Sequence, residues 1–424
     1  MNKDVLRAAY ERHRTIALLA AIAGATLLAM ALRRPDQWSA PAVWIEEGTV
    51  ALPDYVANGW SSVLHPMMGY LVLPTKLILA TAATLSFRWL PEIEFALTLL
   101  FTAGVLAAIA FCPTDLKYRP LCALALLALP IDSEAYATSA YAFWWGSLLT
   151  ILPLIWRRDG ARHDVLRGLL LVFGGLSSPL IIALTPLYAV RAALLRSRAA
   201  IIDLVLAAAA AGLQYSMVMK TAQAANTAFQ TITPALFVRK FFGYFLFVPA
   251  QVGGNDAATL AVGVMLLAMI GVLSWRHRRE LGPAYFFLLA AFLVAAFASV
   301  TRVPIASIHP GLAGPRYFFP PFAFLSMAIV QLAALNSRIA SFSVVVIAAL
   351  CLRNALEFGQ RNHDALDWRG SVELCAAGAL QELPVHWDGR AATAWKAHIT
   401  SADCRRLVGA SWFGNGIPVA GAAP

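Results

Sequence analysis

Residues 15–32 read TIALLAAIAGATLLAMAL, a run of about twenty residues without a charge. Wound as a helix at 1.5 Å per residue, it is about 27 Å long, close to the roughly 30 Å hydrocarbon core of a bilayer. Runs of this kind recur along nearly the whole chain, separated by short knots of Arg, Lys, Pro and Gly. They lack the apolar–polar alternation of a barrel strand, so the lipid solvent leaves only helices to satisfy the backbone. Of the 424 residues, 60% are hydrophobic and 13% charged, about half the charged share of a water-soluble domain.

The net charge of +10 is spent in short loops such as Arg157-Arg158 and Arg276-His277-Arg278-Arg279. There it anchors topology on the cytoplasmic side, and it makes no nucleic-acid-binding patch. Lys3, Arg7, Arg12 and Arg14 precede the first run, and Ala29-Met30-Ala31 resembles a signal cleavage site. The run is longer than the usual signal core of about 7–15 residues, so an uncleaved anchor is expected.

Charge parity sets the path. With the N-terminus cytoplasmic, the first helix delivers residues 33–66 outside, while Lys117 and Arg119 mark an inside loop. An odd number of crossings must join them, and two apolar runs are available, 67–87 and 94–112. The first carries Pro66, Pro74 and Lys76, so 94–112 is expected to span and 67–87 to be re-entrant or interfacial. Arg157, Arg158 and Arg162 return the chain inside after runs 120–131 and 142–156. Continued to the end, this gives an all-α polytopic membrane protein with about eleven transmembrane helices. Its transmembrane module covers residues 1–355, with a first outer loop at 33–93, a second at 132–141 and a fourth at 220–256. A second interfacial stretch is expected near Phe237 to Val252. Residues 356–424 form a small extracytoplasmic tail rich in Trp and charge. Its Cys375 and Cys404 face an oxidising compartment, and a disulfide or two free thiols both remain open.

Chemistry concentrates in the outer loops. The first holds Trp44-Ile45-Glu46-Glu47-Gly48 and His65-Pro66-Met67-Met68-Gly69-Tyr70. Adjacent acids in a loop are most often solvated charges, but these are flanked by an interfacial Trp and sit upstream of the re-entrant segment. The second loop carries Asp132, Ser133 and Glu134, followed by the aromatic cluster Tyr136, Tyr141, Phe143, Trp144 and Trp145. Gly314-Pro315-Arg316-Tyr317 opens a later helix on the same side. There is no Gly-rich phosphate loop and no metal-ligand spacing of Cys or His.

The order of first helix, acidic outer loop, His-Pro segment and interfacial helix resembles the integral-membrane glycosyltransferases of the GT-C superfamily. More narrowly, it looks like a bacterial branch with a Trp-x-Glu-Asp-Gly loop followed by a Pro-Tyr-x-Gly-Tyr-like segment. This chain has Glu47 where that branch has Asp, and Pro66-Met67-Met68-Gly69-Tyr70 lacks the first Tyr. The resemblance implies an inverting enzyme of a bacterial inner (plasma) membrane, moving a sugar from a polyprenyl-phosphate donor to a glycan or lipid acceptor. A first-loop carboxylate, Glu46 or Glu47, would take the acceptor proton, and a cation would stabilise the leaving phosphate. Lys76 and Arg316 are the candidate cations, each with a bland alternative in headgroup anchoring. His65, Tyr70, Glu134 and Tyr317 complete the candidate substrate-binding set. No metal is indicated, although Asp132 and Glu134 would supply ligands if the reaction needs one. Two other readings stand beside this one. A transporter or flippase of a lipid-linked substrate would place acids or broken helices at mid-membrane. An envelope-assembly partner would recruit an enzyme through the tail.

Overall fold

A computed structural model describes residues 3–157, 163–221, 232–249, 255–301, 303–311, 314–357, 361–387 and 389–412. Among the described residues, helices dominate. Six are long and apolar enough to cross a membrane: His13–Arg33, Leu90–Phe111, Arg198–Lys220, Asp256–Arg276, Pro283–Val300 and Arg338–Leu356. Four apolar helices are shorter: Leu73–Leu85, Arg119–Ala128, Leu180–Leu195 and Phe319–Leu332. The long helices turn large apolar side chains outward, among them Leu100, Val272, Phe342 and Val345. Such exposure would be untenable in water over so many residues, and it is what a lipid-facing surface requires. The chain is a multi-pass membrane protein.

Several expected runs are broken. Residues 142–156 form Ala142–Ser147, a 3-10 turn at Leu148–Thr150 and Ile151–Leu154, with Pro153 near the end. The Leu73–Leu85 helix has 13 residues, about 20 Å of rise, which falls short of the hydrocarbon thickness. Pro74 is its second residue, which fits a first helical turn because its missing N–H would have been unpaired there. The stretch expected to be interfacial near Phe237 is a chain of short helical pieces, Pro234–Val238, Arg239–Gly243 and Tyr244–Leu246. Gly243 lets it press on the Asp256–Arg276 helix, since a Cβ there would sit 2.3 Å from the Thr259 carbonyl. Arg158, Arg162 and parts of the 220–256 loop lie outside the described residues.

Loops gather at two poles. At one, Asp115 N–H bonds Ile155 O at 2.8 Å, Arg157 N–H bonds Pro113 O at 2.9 Å, and Gln331 pairs with the Lys117 backbone. At the other, the first loop meets the tail. The tail consists of the helix Trp368–Ala377, strands β1 (Glu382–Val385) and β2 (Trp395–His398), and the helix Ser401–Ala410. β1 and β2 pair antiparallel with Glu382 opposite His398. A disulfide joins Cys375 to Cys404 and so ties the two tail helices together.

Among the described residues, the tail shares its core with the first loop. Trp368, Val372, Leu383, Val385 and Ile399 share one apolar cluster with Val43, Trp44, Leu52, Leu79 and Phe87. His386 N–H bonds Val43 O at 2.9 Å, and Trp368 Nε1 bonds Phe87 O at 3.0 Å. Two ten-residue helices and two four-residue strands bury too little to stand alone, and the first loop supplies the other half.

Candidate functional site

A cavity of about 930 Å³ opens at the pole formed by the first loop. Glu46, Tyr70, Tyr141, Arg316 and Tyr317 line its polar end, and Leu180, Phe237, Leu293 and Phe297 line the apolar remainder. The walls come from four places. Glu46 caps the helical turn Glu47–Ala51. Tyr70 follows a tight turn in which Met68 and Gly69 both take positive φ and the Met67 and Tyr70 backbones pair. Tyr141 ends a 3-10 turn, and Arg316-Tyr317 form another after Gly314, at φ +73.

Arg316 is the hub. One of its terminal nitrogens (Nη1) donates to Glu46 Oε1 at 3.4 Å and to the Tyr141 hydroxyl at 3.2 Å, and lies 4.0 Å from Glu134. The Tyr141 hydroxyl in turn donates to Glu134. Asp132 accepts the Glu134 backbone N–H at 2.8 Å and so fixes that short turn. Arg361, from the segment leading into the tail, closes the network at 3.4 Å from Asp132 and 3.9 Å from Glu134. Its guanidinium lies over the Trp44 ring.

Electrostatics follow from this placement. Burial pushes the Glu46 carboxyl above its usual range; Arg316 opposes that shift and Glu134 adds to it. Glu46 Oε2 is buried and has no hydrogen-bond partner. Burial works against the Arg316 charge, but Tyr141, Tyr317, Glu134 and Glu46 outweigh it and hold the guanidinium firmly protonated. Burial, then Glu134 and Glu46, push the Tyr141 phenol well above its usual value, so it remains a donor. Burial also raises Asp132, against Arg361. A raised carboxyl with a free oxygen beside a fixed cation suits proton transfer next to a developing anion.

The candidates therefore divide. Glu46, Tyr70, Arg316 and Tyr317, scattered over some 270 residues of sequence, line the cavity, and Glu134 and Asp132 stand behind them, against Arg316, Tyr141 and Arg361, without lining it. Glu47, His65 and Lys76 do not line the cavity. Successive residues on a helical turn point about 100° apart, so Glu47 faces inward where Glu46 faces the cavity. It is 1% exposed and bonds the Trp44 N–H at 3.1 Å and the Ser139 hydroxyl. Lys76 neither snorkels nor waits for phosphate. It is buried, paired with Asp54, and donates to Ser62 O at 3.0 Å. His65 Nδ1 meets the same Asp54 at 2.9 Å. His309, another loop histidine, is buried with its Nε2 2.9 Å from Pro249 O.

Two site residues escaped the reading of the sequence. Arg361 sits in the tail, and Tyr141 was one aromatic among five with nothing local to single it out. Among the described residues no three His, Cys, Asp or Glu side chains gather as a metal-ligand set. Asp132 and Glu134 face Arg361 and Tyr141 instead. Comparison with protein-family models, with curated proteins and with solved structures finds no match to this chain.

Proposed function

We propose that the protein is an inverting membrane glycosyltransferase that moves a sugar from a polyprenyl-phosphate donor to an extracytoplasmic glycan or lipid acceptor. The observation that carries this reading is the meeting of Glu46 with Arg316 at the polar end of a largely apolar cavity. An isoprenoid chain suits the wall of Leu180, Phe237, Leu293 and Phe297; the last two are also about half exposed on the lipid-facing side. The volume falls within the range of small-molecule sites.

In the reaction, the acceptor oxygen bonds to the anomeric carbon while its proton passes to Glu46. The anomeric carbon–oxygen bond breaks, and its electron pair leaves on the lipid phosphate. Arg316 stabilises that anion. Arg361 and Glu134 hold Tyr141 and Arg316 in place.

The two poles support a path of eleven traverses, six on full-length helices and the others on shorter pieces. With the Arg276–Arg279 knot cytoplasmic, the cavity and tail lie outside a bacterial inner membrane and the N-terminus inside. The test is transfer from a panel of polyprenyl-phosphate sugars by protein in lipid nanodiscs. Glu46→Gln should lower the rate by about 10²–10⁴-fold, the usual contribution of a general base. Arg316→Ala should abolish thermal protection by the donor. Full transfer by Glu46→Gln would sink the reading. Counterflow of a lipid-linked sugar that is indifferent to both substitutions would favour a transporter.

A further inference from the structure

The segment leading into the tail crosses the first loop as a strap before the tail folds. Arg361 N–H bonds Arg33 O at 3.1 Å, at the end of the first spanning helix. The Arg361 guanidinium and the His363 ring both pack on Trp44, with His363 stacked at 5.5 Å and 20°. The connection between β1 and β2 grips the other end of the strap. Asp364 N–H bonds Gly389 O at 2.7 Å, and the Asp364 carboxylate accepts the Ala391 N–H at 2.9 Å. His386 Nε2 lies 2.8 Å from the Asp364 carbonyl. Gly389 makes this grip possible: it sits at φ +89, and a Cβ there would lie 2.4 Å from His363 Cδ2.

The strap also delivers a charge. Among the described residues of the network, the carboxylates Glu46, Asp132 and Glu134 stand around two guanidiniums, Arg316 and Arg361. Glu134 lies between those two, with Oε1 4.0 Å from Arg316 and Oε2 3.9 Å from Arg361. Asp132 has Arg361 at 3.4 Å, while the nearby Arg33 and Arg34 are committed to the Leu129 and Ile131 carbonyls and to Asp36. If Arg361 is withdrawn, both acids fall to Arg316, whose charge is then spent on protein carboxylates rather than on an anion in the cavity. The two guanidinium side chains are 37% and 30% exposed, so water weakens this competition without cancelling it.

We infer that the strap couples docking of the tail to the anion-binding end of the cavity, with Arg361 as the positioning residue that leaves Arg316 free for a ligand. With the tail docked, Arg361 occupies Asp132 and Glu134. With the tail open, the strap loses its seat and Arg361 leaves the network. Such coupling is reciprocal: an anion held by Arg316 must tighten the tail by the factor by which the docked tail tightens the anion, about 5–150-fold in typical cases. That the anion is an isoprenoid phosphate rests on the transfer reading; the link between strap and second loop does not.

The test is hydrogen exchange on the whole protein in nanodiscs, with and without farnesyl phosphate. Gly389→Ala disturbs the strap's seat without touching a charged group. It should speed exchange in β1 and β2 and, with them, at the Glu134 N–H, which Asp132 holds. In Arg361→Ala that amide should already be fast, and adding Gly389→Ala should speed it no further. Should Gly389→Ala fold poorly, reduction of Cys375–Cys404 opens the same unit. An unchanged Glu134 amide while the strands open overturns the coupling, whatever the fate of the transfer reading. Farnesyl phosphate should slow strand exchange about fivefold or more in the wild type and leave Arg361→Ala unaffected. Arg361→Ala should also bind it at least about fivefold more weakly, and Arg361→Lys should keep most of the affinity. Adding Asp132→Asn to Arg361→Ala keeps the oxygen that takes the Glu134 N–H, removes the stranded charge and should restore binding. Full affinity in Arg361→Ala, or no recovery in the double variant, refutes the charge role. No binding by the wild type removes that role together with the transfer reading, and the Glu134 amide still decides the coupling.

Discussion

The disulfide offers the sharpest quantitative test of how the tail is held. Cys375 and Cys404 are separated by 29 positions, and their Cα atoms lie 6.0 Å apart. Closing a loop of that length removes about 12 cal/mol/K of entropy from the opened tail, which is about 3.6 kcal/mol at 25 °C. The bond should therefore change the opening equilibrium of the tail by about 400-fold. The perturbation is the Cys375→Ala, Cys404→Ala double variant, or reduction of the wild type, in nanodiscs. The assay is hydrogen exchange at the paired amides of β1 and β2, which report local opening of that unit. Exchange should accelerate by two to three orders of magnitude in the strands while the spanning helices keep their protection. Acceleration of less than about tenfold, below about 1.4 kcal/mol, would refute the reasoning. It would mean that the Trp368, Val385 and Trp44 cluster holds the tail closed even without the bond.

Three further outcomes follow from the same seam and its neighbours. Gly48→Ala would place a Cβ 2.3 Å from Val385 Cγ1, and overpacking should cost about 1–3 kcal/mol in thermal unfolding. Adding Val385→Ala should make the pair less costly than the sum of the single changes. His363 is stacked on Trp44 and nearly buried; burial first, then Arg34, lowers its pKa to about 3, against Asp36. The unfolded chain binds a proton near pH 6.5 that the folded state refuses, so stability is present above that pH and lost below it. Between pH 7 and pH 5 the loop–tail unit should lose about 2 kcal/mol, and His363→Gln should flatten that dependence. Asp54→Asn would strand the buried Lys76 charge at a cost of about 3–5 kcal/mol, and Lys76→Met in the same chain should recover much of it.

What the sequence determined by itself is the solvent and the inventory. Apolar runs such as 15–32 admit lipid and helices and little else, because composition over twenty residues is a local property that no packing can reverse. The acids of the first two outer loops, Arg316 after Gly314-Pro315, and the short proline-led segment at 67–87 were legible for the same reason. The tertiary structure decided which of those residues meet. Glu46 and Glu47 are neighbours with the same chemistry, and only the turn that carries them sends one to the cavity and the other inward to the Trp44 N–H and the Ser139 hydroxyl. Lys76 looked like an exposed cost because its partner, Asp54, lies 22 positions upstream on a separate short helix, Leu52–Asn58. Arg361 and Tyr141 gave no signal, since their roles exist only where the tail folds onto the first loop and the second loop meets Arg316. Side chains far apart in sequence become a site through long-range packing, and one chain's residue order does not carry that information.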